Sequence, residues 1–286
     1  MGSVGMTVRT QFTEGDRQRD AGNTIPEDVE RIVDQVYGAD PKWQILDLYR
    51  PKGVQGKLPV IISFHGGGWV YGDKEVYQWY TMSLAQMGFA VINFTYRLAP
   101  EFQYPSPLED MSLVVDWMYA HCEEYGLDTE NVFGVGDSAG GHGLGLFSAI
   151  CTNQAYAEKY DFKVHEGFHF NAIALNCGAY TIDTSKEDLT SLLMKEYIPH
   201  ADIALIQVPS FVTENFPPSF VMTCSQDFLK DQVHELVPVL LNKNVECECR
   251  YYSAPLGHVF HCNVKLPEAH QCNKEETDFF KLHIQQ

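Results

Sequence analysis

Gly136-Asp137-Ser138-Ala139-Gly140 sets a serine between two glycines, after the apolar stretch 131–135 and before a run of small residues. A serine hydroxyl is a weak nucleophile and must stand clear of the backbone to meet a base. A sharp strand-to-helix turn presents it that way, and glycines two residues to either side let strand and helix approach without colliding Cβ atoms. The helix that starts there also points free N–H groups and its positive end at any oxyanion forming beside Ser138. Chance occurrences of the pattern in glycine-bearing loops are common, so a second motif is needed. His65-Gly66-Gly67-Gly68-Trp69 supplies it, directly after the buried-strand run 60–64. Three successive glycines are costly in chain entropy and suit a backbone that turns sharply or approaches a ligand. Attack by Ser138 on a carbonyl would need preorganised donors for the oxyanion, each contributing about 3 kcal/mol to lowering the barrier. The N–H groups of Gly67, Gly68 and Ala139 are the expected donors.

A serine nucleophile also needs a base and a group to orient it. Residues 220–224 read as a strand that ends near Asp227, and 245–252 as a strand leading to Gly257-His258. Both side chains then lie past the C-terminal ends of strands, the edge where sites assemble in open parallel sheets. The order Ser138, Asp227, His258 is that of an α/β-hydrolase. Asp231, one helical turn further on, is the alternative acid, and His261 the nearest alternative base. His65 reads better as a brace for the glycine loop, and His142 has no distinct role in the sequence.

With these residues in place, the chain resembles the hormone-sensitive-lipase-like (family IV) branch of the α/β-hydrolases. The resemblance rests on the two motifs above, on Tyr96-Arg97-Leu98-Ala99-Pro100-Glu101, and on Pro105, Pro107 and Asp110 at the family's offsets. Asp227-Phe228-Leu229-Lys230-Asp231 resembles the family's D-P-L-x-D segment, with Phe228 in place of proline. Gly257-His258-Val259-Phe260 resembles its H-G-F loop, with Val259 in place of glycine. The resemblance implies hydrolysis of carboxylic esters with short acyl chains, without metal or organic cofactor. It implies oxyanion donors at Gly67, Gly68 and Ala139, and a homodimer as a candidate assembly.

The elements that must position these residues alternate. Apolar strand runs recur at 60–64, 89–94, 132–135, 172–175, 220–224 and 245–252, with helical patterns at 76–87, 108–119, 139–150 and 232–241 between them. Such alternation reads as an α/β-hydrolase fold, a mostly parallel sheet covered on both faces. The length of 286 residues suits one such domain. Two segments fall outside the sheet pattern. Residues 1–40 begin polar and charged, and 26–36 look helical. Residues 181–216 replace a simple crossover with a helical insertion. Both are expected to form a small cap over the nucleophile, from about 1–40 and 181–216. Aromatic candidates for the pocket wall are Trp69, Tyr71, Trp79, Tyr197 and Phe211.

A net charge of −18, from 38 acidic against 20 basic residues, argues against nucleic-acid or anionic-membrane partners. No run reaches the roughly 18 apolar residues of a membrane span. Residues 1–13 lack an apolar signal core. Several of the 8 cysteines sit where small apolar residues would, so a reduced, cytoplasmic setting is the expectation. His258, His261, Cys262, His270 and Cys272, with Cys247 and Cys249 upstream, crowd ligand-type side chains together, but at spacings that match no usual zinc signature. No metal or other cofactor is therefore expected. The expected activity is a serine carboxylesterase acting on small-molecule, short-acyl esters through a covalent acyl-enzyme. Deacetylation of sugars or glycan fragments is the rival reaction, and binding of a small ligand without chemistry is the rival class.

Overall fold

The computed structural model describes residues 4–185, 188–198 and 202–285. Its frame is a sheet of eight strands ordered β1-β2-β4-β3-β5-β6-β7-β8. The strands are β1 (Val29–Val36), β2 (Ile45–Pro51), β3 (Leu58–Phe64), β4 (Ala90–Thr95), β5 (Leu127–Asp137), β6 (Ala172–Asn176), β7 (Ser219–Gln226) and β8 (Cys247–Gly257). β2 pairs antiparallel with both β1 and β4, and every other pairing is parallel. The helices are α1 (Val4–Asp20), α2 (Lys74–Gln86), α3 (Ser106–Tyr125), α4 (Ala139–Thr152), α5 (Gln154–Ala157), α6 (Leu189–Tyr197), α7 (Val233–Asn242) and α8 (Pro267–Leu282).

The central strands are apolar on both faces because helices cover both. Val60, Ile62 and Phe64 of β3 pack into one core with residues of α3, α4, α6 and α7. Ile61 points the other way, into a second core with α2 and α8. The crossovers bring the C-terminal ends of β3, β5, β7 and β8 to one edge, where their loops carry the residues singled out above.

Residues 26–36 are not helical. Val29–Val36 is the edge strand β1, and the amino-terminal helix is α1 instead. The apolar residues Val29, Ile32, Val33 and Val36 recur at helical spacing, which is what the pattern reflects. In the structure the pairing register slips between Ile32 and Gln35, and Asp34 there takes a positive φ of 58°. A bulge inserts a residue and shifts the alternation, so a strand acquires an apparent period near 3.6. The N–H of Asp34 donates to Asp47 Oδ1 at 2.9 Å, which pins the bulge. α1 went unrecognised because it is polar nearly all round, with Gly5 and Val8 its buried residues. It is held by contacts distant in sequence. The N–H of Val4 donates to Glu196 of α6 at 2.8 Å, and Arg9 donates to Val70 O at 2.6 Å and Ala99 O at 2.8 Å. Of the two segments expected to form a cap, residues 1–3, 186–187 and 199–201 lie outside the described residues. All 8 cysteines are free thiols. Among the described residues, no helix is long and apolar enough to cross a membrane.

Candidate active site

Ser138 stands at the turn from β5 into α4 with φ 52° and ψ −119°, a left-handed conformation that is strained for a residue with a Cβ. The flanking glycines explain how the turn is possible. A Cβ on Gly140 would lie 2.0 Å from Phe64 O, and one on Gly136 would lie 2.6 Å from Gly140 O. The strained serine is held on both sides: its N–H donates to Asn176 O at 3.0 Å, and its carbonyl accepts from the N–H groups of His142 and Ala179.

The Ser138 hydroxyl donates to His258 Nε2 at 2.9 Å, and His258 Nδ1–H donates to Asp227 Oδ1 at 2.6 Å. Asp227 is 2% exposed. Its carboxylate also accepts from the Thr223 hydroxyl at 2.8 Å and from the N–H of Leu229 at 2.9 Å. Burial alone would raise its pKa, but the hydrogen bond and charge of His258, with these other donors, hold it below the usual carboxylate value. Asp231 is exposed. His261 is fully buried, packs edge-on against Tyr80 at 4.8 Å, and is pushed by burial to a pKa of about 3.

Among the described residues, the N–H groups of Gly67, Gly68 and Ala139 are among those that donate to no acceptor. Gly67 sits at φ 121°, and a Cβ there would lie 2.0 Å from Tyr71 O, so glycine is required. The loop is braced from beneath. Gly66 N–H donates to Tyr77 Oη at 2.9 Å and Asp137 Oδ1 at 3.2 Å, while the Tyr77 hydroxyl donates to Asp137 Oδ2 at 2.7 Å. Burial raises Asp137 to about 6, against the lowering effect of Tyr77. His65 donates from Nδ1 to Gly66 O at 2.7 Å and stacks on Tyr96 at 4.0 Å; burial drops its pKa to about 4. It is a brace, as its position in the sequence suggested. Ala99 N–H donates to Trp69 O, which ties the Tyr96–Glu101 motif to the same loop.

A cavity of about 300 Å³ opens above Ser138 and His258. Gly67, Gly68, Trp69 and Tyr71 line it from the glycine loop, Phe12 and Asp16 from α1, Leu189 and Leu193 from α6, and Phe228 and Val259 from the loops after β7 and β8. Trp69 and Tyr71 were expected there. Trp79, Tyr197 and Phe211 are not part of the lining. Trp79 packs with the second core, on the other face of the sheet. Tyr197 is buried behind Trp69, their rings stacked at 5.8 Å. Phe211 stacks on Tyr156 at 3.7 Å. Each aromatic found a ring or a core before it found the cavity.

No motif pointed to Tyr77, to Phe12, or to a role for His142. His142 accepts from Trp69 Nε1–H at 3.2 Å and donates to Ile206 O at 2.8 Å, so it fixes the tryptophan wall. One turn of helix separates it from Ser138, and that spacing was the available signal. The cysteine–histidine crowd is not assembled. Two groups of ligand-type atoms lie close among the described residues, Asp137 with His261 and Cys262, and Cys177 with Asp227 and His258. His270 is exposed, and Cys247, Cys249 and Cys272 belong to neither group.

Comparison with known proteins gives the family and its relatives. Residues 46–236 match the BD-FAE family. The chain is 37% identical over 225 residues to an esterase of Gibberella moniliformis, covering 70% of this chain and 68% of that one. It is 27% identical over 251 residues to the versiconal hemiacetal acetate esterase of Dothistroma septosporum, covering 78% and 72%. Among solved structures, a tributyrin phosphonate inhibited esterase B from Lactobacillus Rhamnosis is similar with TM-score 0.89, at 28% identity over 98% of this chain and 94% of that one.

Proposed function

Since the chain belongs to the BD-FAE family and is a carboxylic ester hydrolase of the α/β-hydrolase fold, we propose that it is a serine esterase for short-acyl esters, with Ser138, His258 and Asp227 as its triad. The observation that carries this reading is the unbroken hydrogen-bonded line from buried Asp227 through His258 to the Ser138 hydroxyl.

Ser138 Oγ attacks the ester carbonyl carbon while His258 Nε2 takes the hydroxyl proton. Asp227 keeps the imidazole in the tautomer that can accept it and stabilises the imidazolium. The carbonyl oxygen, now negative, receives the N–H groups of Gly67, Gly68 and Ala139. Those groups need no reorganisation, because they have no other acceptor among the described residues. As the tetrahedral centre collapses, His258 returns the proton to the leaving alcohol oxygen. An acyl group remains on Ser138. A water molecule, deprotonated by His258, repeats the sequence and frees the acid.

The short-acyl preference is supported by the size of the cavity, about 300 Å³, and by its closure from α1 and α6, which we take as the cap. A Cβ on Gly68 would lie 2.7 Å from Leu193 of α6, so the cap stands close over the oxyanion loop. A relative named for an acetate ester and one inhibited by a tributyrin phosphonate point the same way.

Hydrolysis of 4-nitrophenyl esters from acetate to decanoate, with Ser138→Ala in parallel, tests the reading. Rates peaking at acetate or butyrate and falling by about five orders of magnitude in the variant are expected. Equal rates in the two proteins would sink the triad. A peak at decanoate would sink the acyl preference alone.

A further inference from the structure

Two residues depart from the motifs that the chain otherwise matches, and both flank the dyad. Phe228 follows Asp227 where the resembling segment has proline, and Val259 follows His258 where it has glycine. Both side chains line the cavity. Neither is in a comfortable place. Phe228 is 67% exposed, among the most exposed large apolar side chains of the protein. Val259 has φ 52° and ψ 35°, a left-handed conformation in which a β-branched residue is a steric outlier. An exposed aromatic and a strained valine side by side, where proline and glycine would avoid both penalties, indicate that apolar surface at this point has a use.

The chemistry says which part of the substrate meets it. His258 Nε2 must deliver its proton to the leaving oxygen, so that oxygen sits within about 3 Å of the imidazole. The substituent on that oxygen is the alcohol half of the ester. Phe228 packs on the same imidazole, ring centroids 4.3 Å apart and planes at 48°. Whatever leaves past His258 therefore passes Phe228. The loop holds the ring there, with the N–H of Leu229 donating to Asp227 Oδ1 and that of Lys230 to Asp227 O. Leu189 of α6, 45% exposed, also lines this cavity. None of these side chains carries charge, and Arg19, also in the lining, is already paired with Asp16 and Asp20.

We propose that Phe228 and Val259, with Leu189, form a subsite for the alcohol half of the ester, and that it selects flat apolar alcohols, so that the preferred substrates are short-acyl esters of aromatic alcohols. This inference rests on the Ser138–His258–Asp227 reading, and it makes Phe228 and Val259 specificity residues.

Benzyl acetate and ethyl acetate yield the same acyl-enzyme and expel similarly basic alkoxides, so their kcat/KM ratio isolates recognition of the alcohol. In Phe228→Ala, kcat/KM for benzyl acetate should fall about tenfold, chiefly through KM, and that for ethyl acetate by less than about threefold. Phe228→Tyr should restore the ratio, and the pH profile should not move. Val259→Gly should lower the ratio several-fold while Tm holds or rises, because the strain is released. Wild-type protein gives an answer independent of any variant. Benzyl alcohol should inhibit ethyl acetate hydrolysis at a concentration at least threefold lower than cyclohexylmethanol, which has similar size but no flat face. Equal losses on both acetates, or a shifted pH profile, would mean that Phe228 merely props His258 and would overturn the subsite. Equal inhibition by the two alcohols would overturn the preference for a flat ring. Benzyl acetate hydrolysis undiminished in Ser138→Ala would instead overturn the triad beneath the inference.

Discussion

The edge of the sheet and the helices α1 and α6 meet at the same cavity but are built differently. On the sheet side, Ser138, Asp227 and His258 each follow directly from a strand end, and each backbone is fixed by neighbours in the ladder. The glycine loop is buttressed from below by Tyr77, Asp137 and His65, all buried. On the other side, α1 and α6 belong to no sheet. They are joined by side chains reaching across long sequence separations, such as Glu196 to the N–H groups of Val4 and Gly5 and Asp16 to the Tyr71 hydroxyl at 2.8 Å. The difference teaches that positioning for chemistry and enclosure of substrate are separable here. The first is over-determined by backbone, and the second depends on a few polar tethers.

That separation can be broken from either side. The largest effect should come from Asp227→Asn, which leaves the site's shape but favours the wrong imidazole tautomer. kcat on 4-nitrophenyl butyrate should fall about ten-thousand-fold, with KM and Tm nearly unchanged. A Tm lowered by more than a few degrees would mean that the strand ends are less rigid than described. A smaller effect of the opposite kind should follow from cutting the tether of α1 with Arg9→Ala. Arg9 bonds Val70 O, Ala99 O and Glu101, and losing it should cost about 2 kcal/mol of local docking. KM should rise roughly three- to tenfold and kcat should stay within about twofold; a kcat loss as large as the KM rise would show the two sides to be coupled.

The smallest effect lies under the sheet edge. Glu276 of α8 accepts from the Tyr80 hydroxyl at 2.6 Å and from Asn176 Nδ2 at 2.8 Å, and burial raises its pKa to about 7. A folded-state pKa above the unfolded one means that folding favours the protonated form. Its stabilising share is complete below about pH 4.5 and is lost as pH climbs through about 7. Wild-type Tm should therefore decline between about pH 5 and 7.5 and level off above it. Glu276→Gln stays neutral, and its new amide can donate to the unpartnered Asn176 Oδ1, so its Tm should fall by roughly 3–6 °C less over that interval. Parallel curves for the two proteins would refute the assignment.

Much of the sheet side was legible. Apolar runs identified the five strands β3–β7, because a strand buried on both faces has few polar positions; β8, a largely exposed edge strand carrying Glu248 and Arg250, does not share that reason. Glycines marked Ser138 and the loop of Gly67 and Gly68 because backbones there approach within what a Cβ would occupy. The rest was hidden for identifiable reasons. β1 imitated a helix because a bulge broke its alternation. α1 carried no apolar stripe because tethers, and little burial, hold it. α8 was missed although Phe279 and Phe280 are buried; Pro267 at its start was its clearest signal.

The sequence by itself determined what chemistry the chain is equipped for: a serine flanked by glycines, free N–H groups in a glycine loop, and an acid and a histidine after strands, in the order one fold uses. Those features are local, written in residue type and spacing. Which aromatics face the substrate was decided only by tertiary structure. Trp69, Tyr71, Trp79, Tyr197 and Phe211 are equivalent as letters, and each ring packs where neighbours from distant segments leave room. The exposure of Phe228 and the strain at Val259 belong to that same level, because both depend on how two loops meet around His258.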